Sequence, residues 1–150
     1  MGEPANGGEV MTIGYQHATL PEVVARLKDA GVTLLVDVRA VAASRRVGFA
    51  KRALAAGLEE AGIGYLHLRA LGTPKPGREA ARKGRIDEMR EIYETQLATP
   101  EAIDAMAALE EAVTGSRAAL LCFEAQAWEC HRRVLTERLE ARLGLTVRDL

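Results

Sequence analysis

A chain of 150 residues, 48% hydrophobic and 27% charged, has enough apolar material for one domain with a real core. Its formal net charge of -1 excludes a global field that draws it to nucleic acid or membrane, so any anion preference must be local. Two cysteines are too few for a disulfide framework, and no run of about 18 apolar residues is present; the expectation is reduced thiols, a cytoplasmic setting and no membrane span.

Residues 1–10 (MGEPANGGEV) lack the apolar segment of a signal peptide. They are expected to form a disordered leader ahead of a single domain over residues 11–150. Met11 to Tyr15 reads as a short first strand, with Gly14 allowing a sharp turn. Thr19 and Pro21 signal a helix start, Leu20, Val23, Val24 and Leu27 share one helical face, and Gly31 closes it. Val32 to Val38 is a second buried strand. Asp37 and Arg39 stand at its end and are expected to point to opposite sides.

A basic loop containing Ser44, Arg45 and Arg46 leads to a helix over about Ala50 to Ala61 and a third strand over Tyr65 to Leu68. Leu71 to Arg85 is turn-rich and basic and reads as a long loop, a functional or mobile feature in a compact domain. Helices follow over Ile86 to Leu97 and Glu101 to Val113, the second capped by Thr99 and Pro100. Ala118 to Phe123 is a continuous apolar run, the signature of a strand covered on both faces. From Trp128 the period changes to that of a helix, ending at Gly144, and Thr146 to Leu150 makes a fifth strand. Alternating strands and helices predict an α/β fold: a mostly parallel five-stranded sheet flanked by helices, with Rossmann-like layering.

The chemistry-bearing residues gather where the fourth strand becomes the last long helix. Cys130, His131, Arg132 and Arg133 are expected in the first turns of that helix, where amides are unpaired and the dipole favours negative charge. Ligands of open α/β sheets bind outside the carboxyl ends of the strands. Cys130 next to Arg132 there is either a reactive thiolate or a small buried residue. On a helix it would point about 100° away from His131, so the two would not pair. Cys122 reads as core. Glu124 and Asp37 are each candidates for acid–base chemistry or for a structural ion pair. A phosphatase-type loop fails, because Trp128 stands where its arginine would be. No CxxC or HxxxH spacing is present, so no metal is assigned, and no cofactor is identified.

Four blocks occur together: TIGY at 12–15, LLVDVRAVAASRRVGF at 34–49, LGTPKPGR at 71–78 and CFEAQAWECHRR at 122–133. As a set they resemble the bacterial and archaeal DUF488 family, a domain of unknown function. The family pattern falls on Gly14, Asp37, Arg39, Ser44, Arg45, Cys122, Glu124, Cys130, His131 and Arg132. The resemblance implies a fold and a shared site, without a reaction. Two departures stand out: Gly14 is followed by Tyr15, Gln16 and His17 rather than by His-Ser or His-Thr, and residues 41–43 contain no proline.

From residues and resemblance together, Glu124, Cys130 and Asp37 are the catalytic candidates. Gly14, Arg39, Ser44, Arg45, His131 and Arg132 are the ligand-binding candidates. The leading expectation is an enzyme acting on a small phosphorylated or nucleotide-like anion, with Arg39, Arg45 and Arg132 lining one concave rim. Against it stand a solvated face with scattered salt bridges, a nucleic-acid module using residues 45–52 and 75–85, a thiol-dependent function, and a regulatory protein with a vestigial pocket.

Overall fold

The fully buried run Ala118–Cys122 forms the central strand of one sheet in the computed structural model, which describes residues 6–150. The strands are β1 (Glu9–Gly14), β2 (Leu34–Asp37), β3 (Gly64–His67), β4 (Ala118–Cys122) and β5 (Thr146–Asp149). They are all parallel, in the order β3-β2-β4-β1-β5. The α/β fold expected from the sequence is present, with the sheet wholly rather than mostly parallel.

Strand side chains alternate between two cores, as a period of two requires. Met11, Ile13, Leu35, Ala119 and Leu121 pack under α1 (Leu20–Asp29) and α2 (Lys51–Glu60). Val10, Val36, Ala118 and Leu120 pack under α3 (Lys75–Arg82), α4 (Ile86–Leu97), α5 (Pro100–Gly115) and α6 (Arg132–Leu143). Thr19 caps α1 in a reciprocal capping box with Glu22, and Thr99 caps α5 by accepting from the amide of Ala102. Gly144 ends α6 in the left-handed region, at φ 67°.

Three expectations need correction. The first strand begins at Glu9, not Met11, and Asn6 is buried with its side-chain amide donating to the carbonyl of Val113 at 2.9 Å. Residues 6–10 are therefore built into the domain; the rest of the expected leader lies outside the described residues. Leu71 to Arg85 is not a loop: a 3-10 turn at Arg69–Leu71 leads into α3, with Pro76 in its first turn where a missing amide is harmless. The last long helix starts at Arg132, after a 3-10 turn at Ala127–Glu129, so Cys130 and His131 precede it.

The register sets Gly14 beside Cys122 and Asp37 beside Leu121. The carboxyl ends of β1, β4 and β2 thus stop at nearly one level. The chain leaves β1 and β2 toward one face and β4 toward the other, which opens a crevice there. Among the described residues, no helix is long and apolar enough to cross a membrane.

Candidate functional site

The chain following β4 folds back across the end of β1. Tyr15 donates its amide to the carbonyl of Cys122 (3.3 Å) and Gln16 to that of Phe123 (2.8 Å). Gly14 permits this approach: a Cβ there would overlap the carbonyl of Glu124 and reach the guanidinium of Arg132. The obstacle is backbone, which cannot swing aside. Gly14→Ala is expected to cost about 1–3 kcal/mol in urea unfolding. An unchanged midpoint would mean that the two segments do not meet as described.

At the end of β2, Asp37 and Arg39 form an ion pair. Arg39 donates through Nε to Oδ1 (2.8 Å) and through Nη2 to Oδ2 (2.7 Å). The expectation that they point to opposite sides was wrong, because residues two apart in an extended chain share a face. Nη1 of Arg39 donates to Tyr15 Oη (3.1 Å) and to the carbonyl of Phe49 (2.7 Å). Tyr65 adds a hydroxyl donor to Asp37 Oδ2 at 2.6 Å. Burial disfavours the Arg39 cation, but the hydrogen bonds and charge of Asp37 outweigh it and hold the guanidinium above its ordinary value. Burial and the Asp37 charge push the Tyr65 phenol up as well. Arg39 is thus committed within the protein: it ties β2 to Tyr15, which stacks on Phe49 with ring centroids 4.2 Å apart.

After β4 the side chains are closer still. Cys122 and Cys130, expected as separate reduced thiols, are joined in a disulfide. Arg132 is buried to 1% exposure. Its Nη1 lies 2.6 Å from the carbonyl of Glu124 and 2.8 Å from Cys122 Sγ, and its Nη2 donates to the carbonyl of Ala125 at 3.2 Å. Burial pulls its pKa down. Because Cys130 precedes α6 in an extended conformation, the helical angle does not apply, and His131 Nδ1 comes 3.5 Å from Cys130 Sγ. His131 Nε2 is 2.6 Å from the carbonyl of Val38, an acceptor only, so Nε2 carries the proton and Nδ1 faces the sulfur as an acceptor. Burial pushes the imidazole down to about 4; the Val38 bond opposes this and the Arg132 charge adds to it. Burial raises the Glu124 carboxyl, with Arg132 opposing.

The amides of the α6 N-terminus are not free for an anion. That of Arg132 faces Cys130 Sγ at 3.5 Å, and those of Arg133 and Val134 donate to the carbonyls of Cys130 and His131. Ligand-type atoms of Cys122, Cys130 and His131 lie within 4.8 Å of one another, a proximity that sequence spacing does not reveal. They number three, one short of a closed structural zinc set, and the Arg132 guanidinium already presents a cation to one of the sulfurs.

A cavity of about 310 Å³ opens at this edge. Of the residues expected to form the site, Arg39, Glu124, Cys130 and His131 line it, with Cys122 beside them. Asp37 supports Arg39 from below, Gly14 lies under the Glu124 carbonyl, and Arg132 is buried behind the sulfurs. Ser44 and Arg45 do not line it. The Ser44 hydroxyl accepts from the amide of Arg46, and Arg45 lines a separate groove near the start of α1. Arg39, Arg45 and Arg132 therefore do not share one rim. Arg78 and Arg82, from α3, supply the cationic wall instead. A helical reading of Lys75–Arg82 would have found them, since positions four apart share a face.

A family model described as "Domain of unknown function DUF488" matches residues 19–139, most of the chain. No curated protein and no solved structure matches.

Proposed function

The chain belongs to the DUF488 family, whose description attaches no reaction to it, and from its geometry we propose that the cavity binds a small phosphorylated or nucleotide-like anion. One observation carries this reading. Arg78 and Arg82 project from one side of α3 into a cavity at the strand ends, and neither forms an ion pair among the described residues. Arg78 is also aimed, its Nη1 held by the carbonyl of Thr73 at 2.8 Å. Guanidinium forks suit phosphate and carboxylate. The volume is at the small end of ligand pockets and suits a molecule no larger than a mononucleotide. Glu124 lines the same cavity with its carboxyl raised by burial, the setting of a general acid.

Inorganic phosphate and a panel of nucleoside monophosphates are expected to raise the melting temperature. Binding at a hundredfold excess over Kd contributes about 2.7 kcal/mol. The double replacement Arg78→Ala/Arg82→Ala should abolish the shift, and Arg45→Ala should keep it. Silence across the panel, or a shift that survives the double replacement, rejects the reading. A response to oligonucleotides alone would point instead to residues 45–52 and 75–85 as a nucleic-acid surface.

A further inference from the structure

We infer that Cys122 and Cys130 form a reversible thiol–disulfide centre opening on the cavity, with Cys122 as its thiolate and small aliphatic thiols as its exchange partners. This does not depend on an anion at Arg78 and Arg82.

Arg132 supplies the first reason. Its guanidinium is buried, and among the described residues no carboxylate pairs with it. Its contacts are two carbonyl oxygens and Cys122 Sγ, and its Nε has no partner. Burial outweighs the charges of Asp149 and Glu124, which favour the cation from beyond pairing distance, and a buried cation without a paired counter-ion is costly. In the disulfide, Cys122 offers a neutral sulfur. In the dithiol, a Cys122 thiolate 2.8 Å from Nη1 becomes the missing counter-ion. Reduction therefore places one negative charge where the fold already holds a positive one. A couple whose reduced form is stabilised in this way is oxidising.

The other charged neighbours weigh less. Glu124 Oε2 is 3.4 Å from Cys122 Sγ and accepts from it when Cys122 is a thiol; its charge opposes a thiolate there, and burial, which raises the carboxyl, lessens that opposition. His131 presents an acceptor, not a proton, to Cys130, so Cys130 is held as a thiol hydrogen-bonded to Nδ1. Arg78, Arg82 and Glu129 line the same cavity as the sulfurs, two positive charges against one negative.

The exchange is ordered by which sulfur leaves more easily. An incoming thiolate RS⁻ attacks Cys130 Sγ. The Cys122–Cys130 bond breaks, and Cys122 departs as the thiolate beside Arg132. A second RS⁻ attacks the R sulfur of the mixed disulfide, releasing RSSR and the Cys130 sulfur, which takes a proton from solvent. Two RSH are oxidised to RSSR and the protein disulfide is reduced, with one proton released for the Cys122 thiolate.

Thiolate absorbance of the reduced full-length protein, followed against pH, tests this. The thiolate is expected to be half formed by about pH 6.5, a midpoint at least about two pH units below that of free cysteine. It should be lost in Cys122→Ser and kept in Cys130→Ala. Arg132→Met should return the midpoint to the ordinary range; if that variant does not fold, Cys122→Ser and Cys130→Ala still decide. Incubating the oxidised protein with millimolar cysteine should yield a mixed disulfide on Cys130 by peptide mapping. A midpoint in the ordinary range, a signal that follows Cys130, or a disulfide inert to cysteine in the folded protein overturns the inference. So does stoichiometric zinc in the isolated protein that disappears in Cys122→Ser.

Discussion

Replacing Asp37 by alanine is expected to destabilise the protein by about 3–5 kcal/mol, the effect of leaving a buried charge without its partner. Asp37 is fully buried and accepts four hydrogen bonds, from the amide, Nε and Nη2 of Arg39 and from the hydroxyl of Tyr65. Removing the carboxylate leaves the Arg39 guanidinium, 6% exposed, with only Tyr15 Oη and the carbonyl of Phe49 as acceptors. For a chain of this length, about 2–4 °C per kcal/mol puts the loss in melting temperature at roughly 6–20 °C. The comparison is Glu94→Ala, which breaks the surface pair with Arg138 and should cost no more than about 1 kcal/mol. The double change Asp37→Ala/Arg39→Met should cost less than the sum of the single ones, because both charges leave together. If Asp37→Ala melts within the range of the surface pair, the ion pair does not hold the end of β2. The consequence reaches the cavity, since Arg39 fixes Tyr15 and the carbonyl of Phe49.

The fold was legible where periodicity is unambiguous. The unbroken apolar run of β4 announced a strand covered on both faces, and Thr19, Thr99 and Gly144 marked helix ends through their own backbone chemistry. The family was legible from four blocks and is matched over residues 19–139. What failed did so for local physical reasons. In Lys75–Arg82, Pro and Gly argued for a loop, but Pro76 falls in the first turn and Gly77 packs against Thr73, so neither breaks the helix. Concealing the helix also concealed Arg78 and Arg82. The sulfurs are eight residues apart, and only the turn at Ala127–Glu129 brings them together. The role of an arginine is the least legible feature. Arg132 and Arg82 look alike in sequence, yet one is buried against carbonyl oxygens and sulfur while the other faces a cavity. Which holds depends on whether neighbouring chain ends leave room for water, and that is a property of the assembled sheet.

His131 makes stability fall on mild acidification. Burial holds its folded-state pKa at about 4, below the ordinary value of 6.5. Between those values the unfolded chain binds a proton that the folded protein refuses. Stability is therefore complete above about pH 6.5 and is lost progressively as pH falls toward 4. A shift of about two and a half pH units corresponds to roughly 3 kcal/mol over that window. Glu124 acts in the opposite sense. Its folded pKa is raised, so its contribution is present below the unfolded value and is lost as pH rises through the folded one, masking part of the His131 slope. The profile should consequently be steeper in Glu124→Gln than in the parent. In Glu124→Gln/His131→Gln the slope should largely vanish between pH 6.5 and 4.5, at some cost in stability at pH 7 from the lost Val38 bond. Urea unfolding at half-unit steps of pH separates these cases. A parent and a His131→Gln protein that lose stability in parallel on acidification would mean that the imidazole is not held neutral against Val38.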